Sequence, residues 1–121
     1  MNHLAGYAQT EIAGMDEAEL EIRALIRTAS ALNSVKENWE NHQNELQPAL
    51  DKNRRLWSIL ASAMSEEDCP QPTEVKQNIV NLANFIFKRT LEVSANPSPE
   101  KLDILININM NIARGLSGKA E

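Results

Sequence analysis

Two histidines, one cysteine and a run of three acids are the residues of this chain best suited to metal binding or catalysis. His3 and His42 lie far apart, and neither belongs to a ligand spacing such as His-Glu-x-x-His. Cys69 stands in Glu66-Glu67-Asp68-Cys69-Pro70, an acidic setting unlike the electropositive one that activates a nucleophilic thiol. A single cysteine also excludes an intramolecular disulfide. Glu66, Glu67 and Asp68 lack the glycine and the alternating ligands of a calcium loop. Gly115-Leu116-Ser117-Gly118 matches a nucleic-acid GXXG clamp as a string only, because it follows the last expected helix instead of joining two. Asn96-Pro97-Ser98 has proline in the middle position and is no glycosylation site. These residues point to no catalytic set, no metal and no cofactor, and so to a non-enzymatic protein.

Charge narrows the partners. Of the 17 acids, Glu11, Asp16, Glu17, Glu19 and Glu21 fall in the first 21 residues, which hold no Lys or Arg. The remaining 12 acids face 12 bases, so an acidic leader precedes a neutral body and accounts for the net charge of −5. Direct nucleic-acid binding requires a basic surface, which this distribution does not offer. Lys52, Arg54, Arg55, Lys88 and Arg89 are read as a solvated, salt-bridged face. The acidic leader is not a signal peptide. No apolar run approaches the ~20 residues that span a bilayer; the richest, Ile79 to Phe87, is interrupted by Asn81 and Asn84. No membrane association is expected, and the location expected is the cytoplasm.

The elements that must position these residues follow from periodicity. The chain has 121 residues, enough for one domain, and only 4% aromatics against 42% hydrophobics, which favours aliphatic helix packing. Residues 1–15, with Gly6 and Gly14, are expected to form a mobile arm, and residues 16–118 a single helical domain. A first helix is predicted from about Asp16 to Lys36, with Ala18, Ile22, Leu25, Ala29 and Leu32 as its stripe. A polar connection or kink is expected over 38–47. A second helix runs from about Pro48 to Met64 with Leu46, Ala49, Leu50, Leu56, Trp57, Leu60 and Met64 on one face. Trp57 lies on that face and is read as core. Ser65 to Pro72 is a loop, and Thr73 is the expected cap of a third helix reaching Ala95. That helix carries two adjacent stripes, one with Val75, Ile79, Leu82, Ile86 and Val93, the other with Val80, Ala83, Phe87 and Leu91. Ser98 and Pro99 begin a fourth helix, ended by Gly115 or Gly118. The fold class is all-α, a small bundle of about four helices, and a monomer or weak dimer is expected.

At 100° per residue, Asn53 falls inside the apolar stripe of the second helix and Asn109 inside that of the fourth. A buried amide without partners costs roughly 1–3 kcal/mol. Both are therefore expected to be hydrogen-bonded in the core and to fix helix register.

Three segments carry a family resemblance. They are Asn53-Arg54-Arg55-Leu56-Trp57; then Val75-Lys76-Gln77-Asn78-Ile79-Val80-Asn81-Leu82 with Phe87-Lys88-Arg89-Thr90-Leu91-Glu92; then Asn96-Pro97-Ser98-Pro99-Glu100-Lys101-Leu102 with its Ile-rich continuation to Gly115. In order and spacing they resemble the FlaF family of flagellar biosynthesis regulators over about residues 16–117. Pro48 and the Asn-rich stretch before it depart most from that pattern. The resemblance implies a protein needed for normal flagellin production, one that associates with flagellin subunits before export and works with or against a second regulator, FlbT, which acts on flagellin messenger RNA. It implies no catalytic residues.

The expected function is therefore regulation of flagellin synthesis and export by chaperone-like flagellin binding. The alternative is post-transcriptional regulation through flagellin messenger RNA or FlbT. A helical bundle can hold an amphipathic helix in an apolar groove. The second stripe of the third helix and the off-stripe isoleucines of the fourth supply more apolar surface than the bundle needs to bury. Phe87, Leu91, Ile104 and Ile108 are the candidate anchors for flagellin.

Overall fold

The computed structural model describes residues 17–41 and 43–118. The expected arm over 1–15, Asp16, His3 and His42 lie outside the described residues. Four α-helices follow in order: α1 Glu17–Glu37, α2 Leu46–Met64, α3 Thr73–Ala95 and α4 Asp103–Leu116. Short 3-10 turns, Gln43–Glu45 and Pro99–Leu102, lead into α2 and α4. No strand occurs among the described residues.

The boundaries have local causes. After α1, the Asn38 side-chain amide donates to the Ser34 carbonyl at 3.2 Å and the chain turns. In the connection, residues 38–41 form a turn and Gln43–Glu45 one 3-10 segment, and α2 starts at Leu46, two residues before Pro48. Proline is third in that helix, where its missing N–H has no intrahelical partner to lose. At the other end, Ser65 donates its backbone N–H and its hydroxyl to the Ala61 carbonyl. The cap of α3 is Pro72, not Thr73: Pro72 is extended, its carbonyl accepts the Lys76 N–H at 3.0 Å, and Thr73 is already helical. Ser98 is the extended cap residue of the 3-10 turn: its carbonyl accepts the Lys101 N–H at 3.2 Å, its hydroxyl makes no capping hydrogen bond, Pro99 is first in that turn, and the α-helix proper begins at Asp103. Gly118, with φ at 81°, supplies the left-handed stop after α4.

Successive helices run antiparallel. Ser94 near the end of α3 donates to Gln47 near the start of α2. Lys36 near the end of α1 pairs with Asp103 at the start of α4, 2.7 Å apart. The closest helix contacts are α1 with α4, α2 with α3, and α1 with α2. α3 approaches chiefly α2 and, near its end, the Pro99–Leu102 turn. Leu25, Leu32, Leu50, Trp57, Ile86, Val93, Leu102 and Leu105 are fully enclosed and belong to one core. Each such side chain stabilises the fold by about 1.5–3 kcal/mol relative to exposure. No helix among the described residues is long and apolar enough to cross a membrane.

Candidate partner-binding site

A polar cluster sits inside the core where α1, α2 and α4 meet. The Trp57 indole N–H donates to Asn109 Oδ1 at 2.9 Å. An indole N–H can only donate, so it fixes which end of the Asn109 amide faces α2. Asn109 Nδ2 then donates to Asn53 Oδ1 and to Thr28 Oγ1, both at 2.7 Å, with the Leu25 carbonyl at 3.5 Å. Thr28 Oγ1 in turn lies 3.0 Å from the Ala24 and Leu25 carbonyls of its own helix. Asn53 and Asn109 are both fully buried, and Asn53 Nδ2 has no partner. Amides and an indole neither titrate near neutrality nor attack substrates. What this cluster can do is hold three helices at one axial level.

The remaining polar residues offer little chemistry. Among the described residues, no group of three His, Cys, Asp or Glu could hold a metal ion. Glu66, Glu67 and Asp68 are exposed, and Cys69 is half-buried beside them. The Lys36 ammonium is pushed above its usual 10.5 by its hydrogen bond to Asp103 and the attraction of that carboxylate.

The four candidate anchors separate into two pairs. Phe87 is half-buried against the core and walls a shallow cleft of about 350 Å3 with Ser58, Ala61, Ser62, Ser65 and Glu66, on the α2 side of α3. Leu91 follows one turn later on that flank and is 71% exposed. On α4, Ile106 and Met110 face α1, where they line a cleft with Ala29, Ser30 and Asn33. Ile104 and Ile108 occupy the opposite flank, the first 37% exposed and the second half-buried against the core. The exposed crest of α3, with Asn81, Asn84 and Lys88, lies beyond the Phe87–Leu91 flank.

Three exposed apolar side chains, Ile26, Ile59 and Phe85, belong to none of the predicted stripes. Phe85 stands on the flank of α3 opposite Phe87, with the Arg89 guanidinium 5.5 Å from its ring centroid. Arg89 is held there by the Lys101 carbonyl at 3.4 Å and by Glu92, whose Oε1 is 3.0 Å from Nε as an ion pair but off the N–H axis. The aromatic–cation spacing of four residues is the sequence signal for this contact. Ile59 is 60% exposed on the outer face of α2 among Lys52, Arg55 and Ser62. Its signal is a lone aliphatic residue within a polar arc.

Compared with known proteins, the chain is matched over residues 4–116 by the model of the family described as Flagellar protein FlaF. No curated protein and no solved structure matches it.

Proposed function

The chain belongs to the FlaF family of flagellar proteins, and from that premise we propose that it binds flagellin subunits in a chaperone-like way in the cytoplasm and so regulates their synthesis and export. The family match over residues 4–116 carries this reading. The exposed aliphatic surface supports it: Leu91 at 71% and Ile104 at 37% exposure leave apolar area for an amphipathic helix to cover. In this reading residues 16–118 act as one binding domain behind an N-terminal arm, no reaction is catalysed, and no cofactor takes part.

Phe87, Leu91, Ile104 and Ile108 are the proposed anchors. Because they form two pairs, a single flagellin helix contacts Phe87 and Leu91, or Ile104 and Ile108. Burying one such side chain contributes about 1.5–3 kcal/mol, so truncating an anchor weakens binding roughly tenfold or more. Leu91→Ala and Ile104→Ala are the decisive variants, since exposed side chains can be cut back without opening a core. Titration calorimetry with purified flagellin, paired with thermal melts, checks this. An unchanged melting temperature with a tenfold weaker affinity for one pair locates the groove. Unchanged flagellin affinity in all four variants sinks the assignment.

The second reading is post-transcriptional control through flagellin messenger RNA or FlbT. It is separated by recovering flagellin on the tagged protein from lysate with and without nuclease. Nuclease-resistant recovery supports direct flagellin binding. Nuclease-sensitive recovery transfers the assignment to RNA, whose binding also falls steeply with added salt.

A further inference from the structure

The outer edge of the α1–α2 pair differs from the rest of this acidic protein. Asn109 touches both Thr28 and Asn53, which places those two residues at one level of the bundle. Because α1 and α2 are antiparallel, Arg27 is level with Arg54 and Arg55. Helical phase turns Arg27 on α1, and Lys52 and Arg55 on α2, toward solvent on the face that Ile59 continues, and all three cations are exposed. None of the three has an ion-pair partner among the described residues; the described ion pairs are Lys36 with Asp103 and Arg89 with Glu92. Ile59 is 60% exposed on the same face, one helical turn beyond Arg55 and two beyond Lys52. It lines a shallow furrow of about 410 Å3 with Arg55, Ser58, Ser62, Ala63 and Glu66.

We propose that this edge docks an acidic amphipathic helix of a partner protein, with an aliphatic residue of that helix covering Ile59 and its carboxylates meeting Arg27, Lys52 and Arg55. Small side chains at Ser58, Ser62 and Ala63 let a helix backbone approach closely. The charge selects the occupant: unpaired cations one to two turns from an exposed aliphatic residue complement a helix that joins an apolar stripe to carboxylates. Glu66 at the far end of the furrow orients the occupant, since carboxylates there would be repelled. The furrow adjoins the Phe87 cleft along the outer ridge of α2, sharing Ser58, Ser62 and Glu66 with it, and diverges at Ile59 and Ala63 on one side and Ala61 and Phe87 on the other, so Ile59→Asp and Leu91→Ala are the variants that separate this docking from the flagellin reading.

The test uses the full chain and a labelled synthetic helical peptide with a leucine stripe flanked by glutamates, beside the same peptide with lysine at each glutamate. Fluorescence anisotropy reads affinity, and melting curves check folding. The glutamate peptide is expected to bind and the lysine peptide not to bind. Ile59→Asp and Arg55→Glu each weaken the glutamate peptide roughly tenfold without lowering the melting temperature. Arg55→Glu with Lys52→Glu gains affinity for the lysine peptide, and Leu91→Ala changes neither. Equal binding of the two peptides overturns the proposal, as does loss of binding in Leu91→Ala but not in Ile59→Asp. Three other occupants also overturn it. Removing residues 1–15 and thereby strengthening peptide binding assigns the edge to the chain's own leader. A concentration-dependent dimer abolished by Ile59→Asp assigns it to a second copy. Single-stranded RNA bound with the same dependence on Arg55 but not on Ile59 assigns it to nucleic acid.

Discussion

Where α1, α2 and α4 meet, the bundle encloses Trp57, Asn109 and Asn53 and joins them to the half-buried Thr28 in a continuous set of short hydrogen bonds. α3 encloses a polar group as well, but Thr90 Oγ1 is buried without a partner. Its other buried residues, Ile79, Ala83, Ile86 and Val93, pack by shape alone. The exposed apolar residues are distributed in the same uneven way, since α3 bears Val75, Phe85 and Leu91. A hydrogen-bonded junction admits one axial register, because a slip strands donors that water cannot reach. An aliphatic face tolerates small shifts at lower cost. Specificity of the fold is therefore concentrated at the three-helix junction, and α3 is the helix with the most exposed apolar side chains among the described residues.

Substitutions can break this contrast. Asn109→Leu is expected to have the largest effect, a loss of roughly 3 kcal/mol, because it strands the Trp57 N–H and deprives Asn53 and Thr28 of their shared donor. Denaturant titration measures it. A loss below about 1 kcal/mol would show that the junction contributes no more than an apolar core. On α3 the sign should reverse. Thr90→Val keeps the shape and removes an unpaired hydroxyl, so it is expected to stabilise the protein by about 1 kcal/mol. If Thr90→Val destabilises, the hydroxyl has a partner in solution and α3 resembles the junction after all.

Asn53→Leu sharpens the comparison within the junction itself. It removes the unpaired Nδ2 together with an acceptor that Asn109 can partly replace through Thr28 and Leu25, so the expected change is within about 1 kcal/mol. A double-mutant cycle with Asn109→Leu should show strong coupling, since the two amides share a bond.

The smallest effect concerns the surface pair that ties the end of α1 to the start of α4. The Lys36 ammonium is held above its usual 10.5 by Asp103. A raised folded-state value means that this contribution is complete below 10.5 and is lost as pH rises through the raised value. Melting temperatures of the parent and of Asp103→Asn should therefore converge as pH rises past that window, and a constant difference would assign the effect to something other than this ion pair.

Much of this arrangement is legible in the sequence, for identifiable reasons. Pro70, Pro72, Pro97 and Pro99 and the acidic run at 66–68 delimit α2, α3 and α4, because proline and clustered charge leave few alternatives. Helical phase alone puts Asn53 and Asn109 on apolar stripes. What phase cannot supply is the partner of each amide. Thr28 and Trp57 reach Asn109 only once α1, α2 and α4 are set at one level, and that is a property of three chain segments at once. The cap of α3 falls one residue before Thr73 for a related reason. Thr73 has a suitable hydroxyl, but Pro72 supplies a carbonyl in extended geometry; Ser98 does take the cap position, ahead of a 3-10 turn and not of the α-helix itself. The same limit explains Phe85 and Ile59. Their exposure depends on α3 packing chiefly on α2 and on α2 turning an edge to solvent, neither of which is written in local periodicity.

The two tryptophans give these questions an optical readout. Trp57 is 0% exposed with its ring nitrogen bound to Asn109, while Trp39 is half-buried in the turn after α1. Light emitted from Trp57 should be blue and well shielded from iodide, and light from Trp39 redder and more readily quenched. Trp39→Phe leaves a protein with one emitter, sealed at the helix junction. A ligand that merely covers an outer face leaves that emission unchanged, whereas one that prises the helices apart turns it red as water reaches the indole. One spectrum, taken with and without flagellin, thus distinguishes a clasp on the surface from an opened bundle.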